Sequence, residues 1–257
     1  MTQRRLTLAV LAVYALLTLY SVLGQPLFSI TPLVGLVFAL LHAGQREGWK
    51  NAWRLLALVF GVSLLFESVG VATGWIYGPY HYTDRLGPKF LGLVPYLIPV
   101  AWFMMSYPSF VIAERLTTAD RPARASRGPG LLAVAALGGL VMTAWDLIMD
   151  PLMVSAGHWV WDTTGAYFGI PLQNFCGWWL TVFVTYALYL LIRRTASRAP
   201  DAGFDRQAVA AYLITALGMI ASDLQRGAGN LALIGFFAMT PWALMAWSRL
   251  TAQDASR

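Results

Sequence analysis

Eight predominantly apolar stretches, divided by short polar, Pro-rich or Gly-rich segments, dictate what this chain can fold into. A helix needs about 20 residues to cross ~30 Å of hydrocarbon, where only structures that satisfy every backbone group internally survive. The stretches run from Leu6 to Gly24, Leu27 to Ala43, Trp53 to Thr73, Leu93 to Glu114, Gly130 to Asp150, Pro171 to Ile192, Ala208 to Asp223 and Ala228 to Trp247. The second is short for a span. The expected fold is all-α, a polytopic integral membrane helical bundle of about eight transmembrane helices. It forms one domain over residues 1–257, with a motif-bearing core at about 53–192.

A share of 58% hydrophobic against 12% charged residues excludes a water-soluble globule and makes the lipid bilayer the first implied partner. Trp and Tyr gather near the ends of the apolar runs, as in headgroup-level belts. A net charge of +6 would suggest nucleic acid for a soluble chain. Here the basic residues are dispersed between apolar runs, so no nucleic-acid partner is expected and the charges read as topology determinants. Arg4 and Arg5 ahead of the first run resemble a signal peptide, yet no small-residue cleavage site precedes Gln25, so the run reads as a retained first helix. Cys176, the only cysteine, lies inside an apolar run and is expected as a small core side chain.

Cytoplasmic loops carry the excess of Lys and Arg. With the N-terminus inside, all 18 basic residues except Arg85, Lys89 and Arg226 fall on the cytoplasmic side. The expectation is a multi-pass protein of the cytoplasmic membrane with both termini cytoplasmic. Two unusual loops, Gly74 to Gly92 and Ser155 to Ile170, then share the external face and can meet. The first carries Trp75, Tyr77, Tyr80, His81 and Tyr82; the second carries His158, Trp159, Trp161 and Tyr167. Each loop follows an acid near a helix end and leads to a proline, Pro95 or Pro171, with Trp102 or Trp178 seven residues further on. The shared order suggests an internal duplication of a helix hairpin, with a pseudo-two-fold axis along the membrane normal and a site between the halves. An interfacial aromatic belt would use many of the same residues.

Of 12 acidic residues, Glu67, Asp146, Asp150 and Asp223 fall inside or at the edge of the spans, and within those spans no Lys or Arg lies near enough to pair with them, Arg54 being 13 residues from Glu67. An Asp at a helix centre costs about 2.5 to 3.5 kcal/mol on insertion scales, so such residues face a protein interior or a watery cavity. Asp146 and Asp150 share one helical face at i and i+4. Two full negative charges there repel, which makes the pair a natural place to keep a proton and a candidate for acid/base chemistry. Pro151 is expected to end the helix. The structural alternatives are a hydrogen-bonding strut for Asp146, a solvated helix end for Asp150, and a partner for loop N–H groups or Lys89 for Glu67. Asp223, beside Arg226, reads better as an interfacial ion pair. Asn174 lies four residues before Trp178 on one helical face, where its amide could orient a water or satisfy loop carbonyls. His42 near the inner face, with His81 and His158 near the outer motifs, offers little for a metal, and no dinucleotide or phosphate-loop motif is present. No cofactor and no metal are expected.

At these residues the chain resembles the integral membrane carotenoid hydratases of bacteria and archaea. The resemblance covers most of the chain and rests on Glu67 with Gly70 and Gly74, on Tyr77 through Tyr82, and on Gly87-Pro88-Lys89. It continues through Asp146 to Pro151, Trp159-Val160-Trp161, Tyr167 to Pro171, Asn174 and Gly177-Trp178. It implies addition of water across the terminal isopropylidene double bond of an acyclic carotenoid, such as lycopene, γ-carotene or a C50 precursor, to give a tertiary alcohol. The implied partners are that hydrophobic carotenoid substrate and other enzymes of carotenoid biosynthesis.

The residues themselves suggest the roles. Asp146 or Asp150 would protonate the alkene, and the other carboxylate or Glu67 would position and deprotonate the water. Trp75, Tyr77, Trp159 and Trp161 would face the cation, and Tyr80, His81, Tyr82, Tyr167, Asn174 and Trp178 complete the expected substrate-binding set. A cyclase or isomerase would use the same acid without water. A transporter would need polar residues through the full depth, whereas the inner helix halves look dry. An oxygen-dependent hydroxylase would need an iron site, for which His81, His158 and a carboxylate are the candidates without a supporting ligand spacing.

Overall fold

The computed structural model describes residues 3–24, 27, 30–118, 129–193 and 201–255. Among them are eight helices: α1 (Gln3–Leu23), α2 (Ile30–Arg46), α3 (Trp49–Thr73), α4 (Leu97–Thr118), α5 (Pro129–Ser155), α6 (Leu172–Ile192), α7 (Ala202–Gln225) and α8 (Gly229–Ala255). Seven are long and apolar enough to cross a membrane; α2, with 17 residues, is the short one that the sequence anticipates. The chain is a multi-pass membrane protein. Of the basic residues used for topology, Arg121, Arg124, Arg127, Arg194, Arg198 and Arg257 lie outside the described residues.

α4 is the central helix, packed by α2, α3, α5, α7 and α8, while α1 leans across α2 and α7. Adjacent glycines let α6 nest on α5. A Cβ on Gly138 would lie 2.3 Å from the Tyr186 ring, and one on Gly139 would lie 2.7 Å from the Trp179 ring. The buried stripe of α6 runs through Asn174, Gly177, Trp178, Thr181 and Thr185. Cys176 falls between these positions and is exposed, so it is not the small core residue expected.

Two boundaries differ from expectation for identifiable reasons. α5 continues through Pro151 to Ser155. Proline removes the N–H that would bond the carbonyl four residues back, and here that Leu147 carbonyl instead accepts the Tyr167 hydroxyl at 2.7 Å. α7 starts six residues before Ala208, because the Asp201 side chain caps it by accepting from Phe204 N at 3.0 Å. Asp205 therefore sits inside a helix.

That shift exposes a larger miss. The inner helix halves are not dry: Arg46, Glu47, Glu114, Arg115, Arg193 and Asp205 form a buried ion cluster that ties α2, α4, α6 and α7 together. Arg46 Nε donates to both Asp205 oxygens at 2.9 and 3.0 Å, and Arg115 Nε donates to Asp205 Oδ2 at 2.7 Å. His42 stacks on Phe204 at 3.9 Å and bonds Tyr107 and the Phe204 carbonyl, well away from the other histidines' hairpins. Asp205→Leu takes from the buried Arg115 guanidinium its carboxylate partner and from Arg46 one of three, and should cost about 3 to 5 kcal/mol, read as a lower Tm in detergent. An unchanged Tm would remove the cluster from the account of stability.

The bundle face opposite the ion cluster carries the only strands among the described residues, β1 (Tyr80–Tyr82), β2 (Lys89–Phe90), β3 (Val94–Pro95) and β4 (Trp159–Trp161). β1 pairs with β4 and β2 with β3, both antiparallel. The two loops that the sequence places on one face thus meet as a strand pair.

Candidate active site

The register sets Tyr80 opposite Trp161 and Tyr82 opposite Trp159, with His81 opposite Val160 between them. Side chains alternate across a strand, so four aromatic rings share one face. They pack in pairs, Tyr80 on Trp161 at 5.0 Å and Tyr82 on Trp159 at 5.7 Å between centroids. His81 turns to the other face, where Nδ1 pairs with Asp162 at 2.9 Å in an exposed contact.

Tyr77 enters the bundle rather than the sheet. The turn conformations of Gly74 (φ 71°) and Gly78 (φ 103°) bracket it, and Trp75 is left outside at 81% exposure. The Tyr77 ring is clasped between α3 and α6, since a Cβ on Gly70 or on Gly177 would each lie 2.6 Å from it. Its hydroxyl bonds Thr181 Oγ1 at 2.8 Å. A Cβ on Gly177 would also lie 2.5 Å from the Ile76 carbonyl oxygen, which is backbone and cannot swing aside. Gly177→Ala should therefore cost about 1 to 3 kcal/mol and lower Tm in detergent. Gly61→Ala, with nothing within 4 Å, is the control and should not lower it.

Three carboxylates sit beneath the aromatic face. Glu67 accepts from the Tyr80 hydroxyl, from the Tyr82 hydroxyl at 2.9 Å and from Trp102 Nε1 at 3.0 Å. Burial, and then the Glu67 charge, hold the phenols of Tyr80 and Tyr82 well above the ordinary tyrosine range, so they remain donors. Lys89, weighed as a partner for Glu67, instead reaches the Tyr82 carbonyl at 2.7 Å and Asp84 at 2.9 Å. Asp150 Oδ1 accepts from Trp159 Nε1 at 2.7 Å and Trp161 Nε1 at 3.4 Å. The Asn174 amide bridges the aspartates, donating to Asp146 Oδ2 at 2.7 Å and Asp150 Oδ2 at 2.9 Å. Its amide nitrogen is spent on the two aspartates rather than on a loop carbonyl. Asp146 Oδ1 is buried and has no hydrogen-bond partner among the described residues. Asp223 pairs with Arg226 at 3.0 Å, as the sequence suggests.

The two motif-bearing hairpins meet in this region. Trp102 stacks on Trp178 at 4.1 Å and 19°, and one acid in each half is capped by the aromatic pair of its own loop. Tyr167 supports the site from outside by capping the carbonyl freed by Pro151. Burial, then the charges of nearby aspartates, push its phenol up to about 12, so it stays a donor.

A cavity of about 210 Å³ opens beside these groups. Of the residues expected at the site, Glu67, Tyr77, Tyr80, Tyr82, Asp146, Asp150, Trp159, Trp161, Asn174 and Trp178 line it, while Trp75, His81 and Tyr167 do not. Reading the sequence missed Trp102 as a ligand of Glu67, and Trp145, Met149 and Met153 as apolar wall. It also missed a contribution from α1 and α7, through Tyr14, Thr18, Thr215 and Gly218. Among the described residues no group of three or more His, Cys, Asp or Glu could hold a metal ion.

The chain matches the carotenoid biosynthesis protein family over residues 24–241. It is 35% identical over 175 residues to the bisanhydrobacterioruberin hydratase of Haloarcula japonica, an alignment covering 68% of this chain and 51% of that protein. The chain thus spans about half the length of this relative. No solved structure matches it.

Proposed function

The chain belongs to the carotenoid biosynthesis protein family, and from that premise we propose that it is a cofactor-independent hydratase of acyclic carotenoid ends. The similarity to a protein named as a carotenoid hydratase supports a hydro-lyase reaction. The observation that carries the reading further is the inventory of carboxylate oxygens. Five of the six on Glu67, Asp146 and Asp150 accept hydrogen bonds from fixed N–H or O–H donors, and the sixth, Asp146 Oδ1, has none. An oxygen with no donor aimed at it is the position in the cluster where a proton meets the least competition.

Asp146 then acts as the acid. Its Oδ1 proton passes to the CH carbon of the terminal isopropylidene group, and the alkene electron pair forms the new C–H bond. A tertiary cation remains on the dimethyl-substituted carbon. Water adds there, and the proton it loses returns to the aspartate pair, restoring the acid. The net change is one water added. Asn174 spends one amide hydrogen on each aspartate and so positions the pair. Aromatic faces along the cavity stabilise the cation by ~1 to 2 kcal/mol each when desolvated. Glu67, fully capped, holds Tyr80, Tyr82 and Trp102 in place and adds negative charge near the cation.

The test is mass spectrometry of pigments from a lycopene-accumulating bacterial host that expresses this chain, grown with and without oxygen. A pigment heavier by one water in both cultures is the expected result. A new pigment of unchanged mass would replace hydration by cyclisation or isomerisation, and a product that needs oxygen would replace it by hydroxylation.

A further inference from the structure

On the hydratase reading, on which this inference rests, the cavity has to hold water and hydrocarbon side by side. A wholly apolar cavity stays dry, so the water needs polar partners in the wall. The cavity of about 210 Å³ has room for on the order of seven groups the size of a water molecule at ~30 Å³ each, enough for a branched end and one or two waters.

The wall is divided. Apart from the aspartates, α4 and α5 give it apolar side chains such as Ile98, Ala101, Met149 and Met153. Apart from the tyrosines of the hairpin that follows α3, every hydroxyl in it comes from α1, α2 or α7. Tyr14, Thr18 and Ser21 recur along one face of α1, and Thr215 and Ser222 along one face of α7 that ends at the exposed Arg226. The two faces are pressed together, since a Cβ on Gly218 would lie 2.3 Å from Thr18 Cγ2. A seam of hydroxyls therefore lines the cavity from the hairpin face inward. Its inner end is level with the acid: Tyr14 and Asp146 each lie nine residues from the hairpin-face ends of α1 and α5, about 14 Å at 1.5 Å per residue.

The hydrogens of this seam are already committed. Thr18 donates to the Tyr14 carbonyl at 2.9 Å, Ser21 to the Leu17 carbonyl at 2.9 Å and Thr215 to the Ala211 carbonyl at 3.0 Å. Tyr14 then supplies the hydrogen of its 2.7 Å bond to Thr215 Oγ1. What these groups have left are lone pairs. A water on this wall gives its hydrogens to them and turns its own lone pairs toward the cavity, the orientation in which it attacks a cation. On α2, Thr31 Oγ1 is buried and has no hydrogen-bond partner among the described residues, a second polar group that a water would satisfy.

We propose that the hydroxyl seam of α1 and α7 is the water subsite of this cavity: it admits water from the hairpin face and holds one at the Tyr14–Thr215 pair for capture of the cation. The seam decides the fate of that cation. With water in place, a C–O bond forms and the alcohol results. Without it, a neighbouring C–H bond breaks, its electron pair restores a double bond, the proton returns to the aspartate pair, and the carotenoid leaves unhydrated.

The experiment gives membranes containing each protein an acyclic carotenoid in D₂O, and mass spectrometry reads the deuterated alcohol and the deuterated carotenoid without added water. The wild-type protein should give mainly the alcohol. Tyr14→Phe combined with Thr215→Val removes both hydroxyls at once, so that neither is left without the other, and should lower the ratio of alcohol to deuterated carotenoid at least tenfold. Thr18→Val combined with Ser21→Ala interrupts the seam nearer the surface, should shift the ratio the same way, and carries the test if the first double variant does not accumulate. Thr240→Val deletes a hydroxyl of α8 that does not line the cavity and should leave the ratio within about twofold. A ratio unchanged in the double variants overturns the proposal, as do an alcohol and a deuterated carotenoid that fall together, because loss of the fold or of the acid lowers both. Wild-type protein that deuterates no carotenoid at all overturns the hydratase reading, a result distinct from a ratio that does not move.

Discussion

Asp146→Asn is expected to lower carotenoid hydration by about 10²- to 10⁴-fold, the range that a positioned general acid supplies, while the protein still accumulates in the membrane. The substitution keeps the shape of the side chain. Its amide oxygen can take the place of Oδ2 and accept from Asn174, and the new NH₂ then occupies the position where Oδ1 has no partner. Asn174 keeps its acceptor, and the new NH₂ takes the place of an Oδ1–H that the proposed acid already leaves without a partner. What disappears is the proton that can be given to the alkene. Asp150→Asn behaves differently, because Trp159 donates to one oxygen of Asp150 and Asn174 to the other. Either orientation of the new amide sets a donor against a donor, so this variant should lose stability as well as activity. Turnover and Tm measured on both variants separate the roles. If Asp146→Asn retained turnover within a few-fold of wild type, Asp146 would not be the acid.

Glu67→Leu should be the most destabilising single change on the hairpin face. It leaves the Tyr80 and Tyr82 hydroxyls and Trp102 Nε1 without their acceptor in a buried site. Each stranded donor costs about 1 to 3 kcal/mol, so a loss of order 5 kcal/mol is expected, visible as a large fall in Tm in detergent. Because the cost is that of unmade bonds, removing donors along with the acceptor should recover part of it. Glu67→Leu combined with Tyr80→Phe and Tyr82→Phe should be more stable than Glu67→Leu alone. A triple variant no better than the single one would mean that Glu67 matters through its charge rather than as an anchor for the two tyrosines.

The parts of this site that were legible in the sequence follow short-range rules. Acids inside apolar spans must have partners, and Glu67, Asp146 and Asp150 do find them at one end of the bundle. Alternating aromatics in two loops on the same face suggested that the loops meet, and they pair as β1 and β4. Alternation misled where the chain turns. Gly74 and Gly78 take left-handed conformations, so Trp75 does not continue the phase of Tyr80 and Tyr82, and His81 lies between them on the opposite face. The continuation of α5 through Pro151 depends on a hydroxyl 16 residues later, at Tyr167, which no local rule anticipates. The ion cluster escaped notice because its members sit at the ends of four helices and look like interfacial charges until the helices pack. Asn174 looked like a cap for loop carbonyls, and only the spacing of α5 against α6 brings both aspartates to its amide. The role of α1 was hidden for the same reason, since an apolar helix at the edge of the bundle announces nothing about the side chains, Tyr14 and Thr18 among them, that line a cavity.

The source of the added atoms tests the central claim most directly. Membranes containing the wild-type protein would be given an acyclic carotenoid in H₂¹⁸O, in D₂O, and in ordinary water under ¹⁸O₂, and the product analysed by mass spectrometry. Acid-catalysed hydration predicts one ¹⁸O from water at each tertiary alcohol, one carbon-bound deuterium on the neighbouring carbon, and no label from dioxygen. Oxygen drawn from ¹⁸O₂, or an isomer that gains deuterium but no oxygen, would contradict it.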